Sequence, residues 1–188
     1  VPFTVPDVKG LDAEKAKQAI KDKGLGGKIH HLGFGTGLPT PAVEALDKAG
    51  RTLGLPYPGG ISIDKIAPTG DENAFAFPHP RLDTPYDFSF SGLKTAVINI
   101  VHRMEQKGET LPVADLAASF QKGVTDCLVE KLEKAATDYG YTSIALAGGV
   151  SANSRLRELA AERAAQRGIT VRIPPIRYCT DNGAMIAY

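Results

Sequence analysis

Two cysteines, Cys127 and Cys179, are all that this 188-residue chain contains. That excludes a disulfide scaffold and fits a reducing cytosol. No stretch reaches the ~18 consecutive apolar residues of a membrane-spanning helix. No charged-then-apolar start reads as a signal peptide; the chain opens on Val1, as a processed or excised piece would. The formal net charge is only +1, so no strong overall field gathers nucleic acid, and an RNA contact has to come from a local patch. Lys94, Arg155, Arg157 and Arg163 are candidates for such a patch, with a solvated helix face as the plainer reading. There is no HExxH, so a zincin-type protease finds no support. Internal repeats and low-complexity tracts are absent too. What is present is an ordinary globular composition, 43% hydrophobic and 23% charged, enough for one domain or one and a small extra piece.

The front of the chain reads differently from the rest. "VPDVKGLDAEKAKQAIKDKGL" places Ala13, Ala16, Ala19 and Ile20 on a helical repeat, with Asp12 as cap and Gly24 as stop. "GGKIHHLGFGTGLPTP" is rich in Gly and Pro, as linkers and turns are. A helix is predicted from Pro41 over "AVEALDKAGRTLGL", and "PYPGG" breaks it. "ISIDKIA" reads as a short helix. "PTGDENAFAFPHPRLDTPYDFSF" reads as loop with short extended pieces. From Ser91 a helix carries Leu93, Val97, Ile100, Val101 and Met104 on one side. A long amphipathic helix follows, with the stripe Leu116, Phe120, Val124, Cys127, Leu128 and Leu132. "TSIALA" is predicted to be a buried strand. Gly148 and Gly149 turn the chain into the helix "SANSRLRELAAERAAQRG", capped by Ser151 or Asn153 and stopped at Gly168. "ITVRIPP" is a second strand. Strand, helix, strand means α/β with parallel pairing.

Four stretches could carry chemistry. In "ALAGGVSANSRLR" a strand runs through two glycines into a helix start. Glycines let a ligand approach the backbone, and the free N–H groups of a helix start favour anionic or polar groups. Asn153 both donates and accepts, which suits a ribose or a base edge. The plainer reading is a tight turn whose glycines only permit close packing. In "DFSFSGLKTAV", Asp87, Ser89, Ser91 and Lys94 alternate with Phe88 and Phe90. A nucleophilic serine needs a base, and no local histidine supplies one; capping serines on a surface loop explain the pattern equally well. "LGLPYPGG" joins a rigid turn to a permissive one. In "CTDNGAMIA", Asp181 stands at a helix start, either as a cap or as a hard oxygen ligand for a divalent ion. One aspartate is not a metal site, and the adjacent His30 and His31 point in different directions on regular structure. His79 and His102 are isolated.

Taken together and in this order, "EALDKAGRTLGLPYPGG", "DFSFSGLKTAV", "AGGVSANSRLR" and "CTDNGAMIAY" closely resemble the TsaD family (also called Gcp or YgjD), the tRNA adenosine threonylcarbamoyltransferases, over roughly residues 41–188. The resemblance implies an α/β lobe of the actin-like ATPase type shared with sugar kinases and heat-shock proteins (the ASKHA fold). It implies transfer of a threonylcarbamoyl group from threonylcarbamoyl-adenylate to the adenosine next to the anticodon of tRNA. It implies ATP or that adenylate as ligand, one divalent metal ion (iron or zinc), a cytoplasmic location, and TsaB- and TsaE-like partner proteins. Residue by residue, Asp47, Gly60 and Asn153 match family positions that contact the adenylate, with Gly148 and Gly149 beside them, and Asp181 matches a metal ligand.

The chain also departs from the family. The HxxxH metal pair and the phosphate-cradling SGGHT-like loop have no counterpart in it. It ends where the family continues its last helix, with Ala184 to Tyr188 as first turns. It therefore reads as the second lobe only, truncated at the C-terminus and inactive alone unless another chain supplies the first lobe. Residues 1–40 form a divergent segment or linker, and residues 1–25 are similar to half of a PASTA module. A non-catalytic nucleotide-binding or interaction module of the same fold is the alternative, and a sugar or acid kinase is a third.

Overall fold

The structure, a computed structural model, describes residues 41–79 and 86–179. All of them lie in one of the chain's two units, Phe34–Asp181. The expected front helix with Asp12 and Gly24, the pair His30 and His31, Asp181 and the closing helix lie outside the described residues.

Helix α1 (Pro41–Thr52) starts on proline, whose missing N–H costs nothing at a first helical position. Ala42, Ala45, Leu46, Ala49 and Leu53 recur at helical spacing and are all buried. Gly54, at φ +71°, ends it, with Leu55 N–H bonded back to Gly50 O at 2.8 Å. Helix α2 (Gly59–Ile66) crosses α1 at a glycine pair, and a 3-10 turn, Ala67–Thr69, continues it. A Cβ on Gly50 would lie 2.6 Å from Gly59 Cα, and one on Gly59 would lie 2.7 Å from Asp47 Cα. Only glycines permit that approach.

The loop after α2 lies along the long helix α4 (Val113–Asp138). Asp71 N–H donates to Asp115 Oδ1 at 2.9 Å and Phe75 N–H to Ser119 Oγ at 3.1 Å. Phe77 meets Phe120 edge-on at 5.5 Å between centroids. Helix α3 (Ser91–Gln106) buries Leu93, Val97 and Val101 against the same core. That core joins α1, α2, α3 and α4 through Leu46, Ile63, Phe90, Leu93, Leu116 and Phe120.

Strand β1 (Ser143–Ala145) pairs in parallel with β2 (Thr170–Arg172), Ile144 opposite Val171. A 3-10 turn (Gly149–Ala152) and helix α5 (Ser154–Gln166) connect them. Gly168, at φ +68°, follows α5 as expected. A second, smaller core of Val129, Leu156 and Ala160 holds α5 on α4.

One expectation is corrected. β1 is not a buried strand: Ser143 and Ala145 are exposed and Ile144 is half-buried, because the helices of the second core cover only one face. The expected apolar stripe on α4 is buried at Leu116, Phe120, Val124 and Cys127, and α4 buries a second face beside it. Leu128 and Leu132 are half-buried, whereas Ala117, Ala118, Gln121, Thr125, Val129 and Glu133 are buried as well. A helix packed on one side by α1–α3 and on another by α5 needs two buried faces. The described residues are mostly helical, and no described helix is long and apolar enough to cross a membrane.

Candidate functional site

The turn after β1 begins at Gly148, with φ +83° and ψ 176°, a conformation essentially reserved to glycine. Ser151 Oγ donates to Gly148 O at 2.6 Å and closes the turn. Arg157 Nη1 donates to Ser151 O and Pro174 O, each at 2.9 Å, and fixes the turn to the segment after β2. Gly149 is different: a Cβ there meets nothing nearer than Cys179 O at 4.0 Å. Asn153 is the cap of α5, its Oδ1 accepting from Leu156 N–H at 2.9 Å. Of the two expected caps, it is Asn153 that caps; Ser151 serves the turn.

An aspartate that the sequence reading passed over ties α2 to this turn. Asp64 Oδ1 accepts from Ser154 N–H at 3.0 Å, Ser154 Oγ at 2.7 Å and Gln121 Nε2 at 2.9 Å. Its Oδ2 takes one longer contact, from Ser154 N–H at 3.2 Å. The carboxylate therefore sits at the start of α5, where the helix dipole favours negative charge. A sequence signal existed: Asp64 stands four residues after Gly60 on one helix, hence on the same face. Gln121 Nε2 also donates to Asn153 Oδ1 at 3.3 Å. Two buried polar atoms in this network have no partner, Gln121 Oε1 and Asn153 Nδ2.

The other expected pair meets on the α1–α2 side, where Asp47 Oδ1 accepts from Gly60 N–H at 3.2 Å. Gly59 is needed for the helix crossing, but Gly60 is not. A Cβ on Gly60 would make only an ordinary contact, 3.6 Å from Leu46 Cβ. Of the expected site residues, Asp47, Gly60, Gly148, Gly149 and Asn153 thus lie on elements joined through α2. Asp181 lies outside the described residues. Among the described residues no group of three or more His, Cys, Asp or Glu side chains could hold a metal ion, so they do not make a metal site by themselves.

Beside this network is a cavity of about 310 Å³, lined by Gly70, Glu72, Gln121, Ser154, Arg155 and Glu158 among others. Arg155 anchors its wall. Nε donates to Glu72 at 2.8 Å, and Nη1 donates to Asp126 Oδ1 at 2.9 Å and to Thr125 Oγ1. Burial would lower the Arg155 pKa, but the bonds to Glu72 and Asp126 outweigh it and raise it. Burial would likewise raise Asp126, but the bonds from Lys122 and Arg155 hold its carboxyl below the usual range. The expected basic patch is therefore mostly spent internally. Arg155 and Arg157 serve the fold, and Lys94 pairs with Glu44 at 2.6 Å. In the "DFSFSG" stretch, Ser89 and Ser91 hydroxyls bond each other at 3.0 Å, and Phe88 stacks on Phe90. Among the described residues no histidine joins those hydroxyls; His79 pairs with Glu130 at 2.8 Å on the surface. Cys127 and Cys179 are free and buried.

A family model described as TsaD, tRNA N6-adenosine threonylcarbamoyltransferase, matches residues 31–188. A protein of Prochlorococcus marinus (strain MIT 9303) named tRNA N6-adenosine threonylcarbamoyltransferase is 47% identical over 168 residues, 86% of this chain and 47% of its own. A protein of the same name from Mesoplasma florum is 52% identical over 145 residues, 77% of this chain and 46% of its own. One from Thermosipho africanus is 52% identical over 147 residues, 78% of this chain and 44% of its own. The chain spans about half the length of the curated relatives it matches. With its family motifs distributed over α1, α2, the Gly148–Asn153 turn and the stretch after β2, the chain belongs to the TsaD family.

Proposed function

We propose that this chain forms part of a cytoplasmic tRNA-modifying enzyme built on an actin-like ATPase lobe. The enzyme moves a threonylcarbamoyl group from threonylcarbamoyl-adenylate to the exocyclic amine of the adenosine next to the anticodon. A bond forms between that nitrogen and the carbamoyl carbon, the bond from that carbon to the phosphate oxygen breaks, AMP leaves, and the amine gives up a proton. This chain's share is binding and orientation of the nucleotide part. The observation that carries the reading is the family match together with the unpartnered Asn153 Nδ2 beside Asp64 at the start of α5. Gly148 and Gly149 let the nucleotide approach the backbone, and Asp47 with Gly60 bounds it from the α1–α2 side.

Asp181 is proposed as one ligand of a divalent ion, iron or zinc, that would supply Lewis-acid polarisation when bound. The proposed partners are tRNA, TsaB- and TsaE-like proteins, and a first lobe from the half of the family's length that this chain does not span. A second reading, a non-catalytic nucleotide-binding or interaction module, draws on that half-length coverage. ATP titration of the 15N-labelled chain tests the nucleotide part: shifts centred on Gly148, Gly149 and Asn153 are expected, and a dispersed spectrum that ignores saturating ATP contradicts it. Incubation with tRNA and threonylcarbamoyl-adenylate tests the enzyme part. The chain alone is expected to leave tRNA unmodified, and modification on adding the first half of a relative supports the enzyme over the module.

A further inference from the structure

We infer that Gln121 is a positioning residue for the nucleotide-binding groups, an inference that rests on the nucleotide reading above. Its side chain projects from the middle of α4 and is only 2% exposed, at a place where an apolar residue would suit the packing better. Its Nε2 carries two hydrogens and reaches two acceptors, Asp64 Oδ1 at 2.9 Å and Asn153 Oδ1 at 3.3 Å. These partners are 57 and 32 residues away in sequence, so Gln121 links α2 to the cap of α5 through the core.

The chemistry allows only one arrangement of the two amides. Asn153 Oδ1 already accepts from Leu156 N–H at 2.9 Å. Turning the Asn153 amide over would face its NH2 to two donors. Turning Gln121 over would face its oxygen to a carboxylate and a carbonyl. The amide of Asn153 is therefore held with oxygen inward, and Nδ2, on a residue 7% exposed, is left as a donor without partner. Gln121 also helps to fill Asp64 Oδ1, which takes three donors, and so leaves Oδ2 as the less occupied oxygen. The result is one unpaired donor, Asn153 Nδ2, and two under-used acceptors, Asp64 Oδ2 and Gln121 Oε1, a pattern that a ligand which both accepts and donates, as a nucleoside does, would complete.

The test compares the 15N-labelled 188-residue chain with Gln121→Glu and Gln121→Met, using ATP as the probe. Glu replaces the NH2 with an oxygen but regains one O–H donor when protonated. Met keeps length and volume and has no donor at any pH. We expect both variants to lose about tenfold or more in ATP affinity near neutral pH. Relative to wild type, the Glu variant recovers as pH falls toward about 5, and the Met variant does not. A simple packing role moves neither that pH profile nor the Asn153 side-chain amide resonances, which are expected to shift in both variants while Leu156 N–H stays protected. A Met variant that binds ATP within about twofold of wild type overturns the inference. If the wild-type chain does not respond to ATP, the nucleotide reading fails, and the Asn153 amide decides the positioning role: displaced in the Met variant it stands, unmoved it falls.

Discussion

Single residues here divide between serving the fold and being left over for a ligand, and hydrogen-bond accounting separates them. Asp126 serves the fold. Held by Lys122 at 2.7 Å and Arg155 at 2.9 Å, its carboxyl titrates below its ordinary value. A folded-state pKa below the unfolded one gives stability that is full above about pH 4 and is lost as pH falls through the folded value. The difference in urea stability between wild type and Asp126→Asn is therefore expected to be constant at neutral pH and to shrink below about pH 4. A difference that persists undiminished into strong acid contradicts the assignment. Asn153 serves the fold as a cap and is proposed to serve the ligand as well. Asn153→Ala removes the cap of α5 and is expected to cost about 1 kcal/mol in denaturant unfolding. It is also expected to abolish the ATP-induced shifts at Gly148 and Gly149, which a cap alone does not require.

At the level of elements, the crossing of α1 and α2 uses two neighbouring glycines for different ends. Gly59 has no room for a Cβ and Gly60 has. Gly59→Ala is expected to push the helices apart and destabilise the fold by about 1–3 kcal/mol. Gly60→Ala adds a helix-favouring residue with only ordinary contacts to Leu46, so stability should hold or rise by up to about 1 kcal/mol, while ATP affinity is expected to fall, as the proposed nucleotide contact at Gly60 requires. Thermal unfolding and ATP titration on the same two variants read both effects. Equal destabilisation by both would mean that Gly60, too, is a packing glycine. The turn after β1 shows the same division between Gly148, demanded by its φ of +83°, and Gly149, demanded by nothing in the described structure.

At the scale of the molecule, Arg155 is a long-range polar tie among the described residues. It reaches from α5 to the loop after α2 through Glu72, and to α4 through Asp126 and Thr125, over sequence separations of 83, 29 and 30 residues. Its side chain is only 19% exposed. Arg155→Met strips partly buried carboxylates of their partner, and the expected loss is about 1–3 kcal/mol, below the full buried-pair figure because Glu72 and Asp126 keep some water. Hydrogen exchange should show the loosening in the 70–79 loop and in α5 together. Loosening confined to α5 would mean that Arg155 does not join them.

The sequence alone determined the helices of the described residues, because repeats such as Ala42–Ala45–Leu46–Ala49 and Leu93–Val97–Val101 state which face is apolar before any partner is known. It also determined the family, through four ordered stretches in which Asp47, Gly60 and Asn153 stand at recognisable places. Only the tertiary structure decided which side chains join the hydrogen-bond network of the proposed site. Gln121 carries no local mark, since a glutamine on a long helix is an ordinary surface residue in sequence, and Asp64 is marked only by standing four residues after Gly60 on one helix. They become part of the site because α4 is packed on two sides and brings Asp64, Gln121 and Asn153 within hydrogen-bonding reach. Burial then turns ordinary polar groups into groups that must be paired or held for a ligand. The tertiary structure likewise decided that β1 stays half open, since the covering of a strand depends on neighbours that its own three residues do not specify.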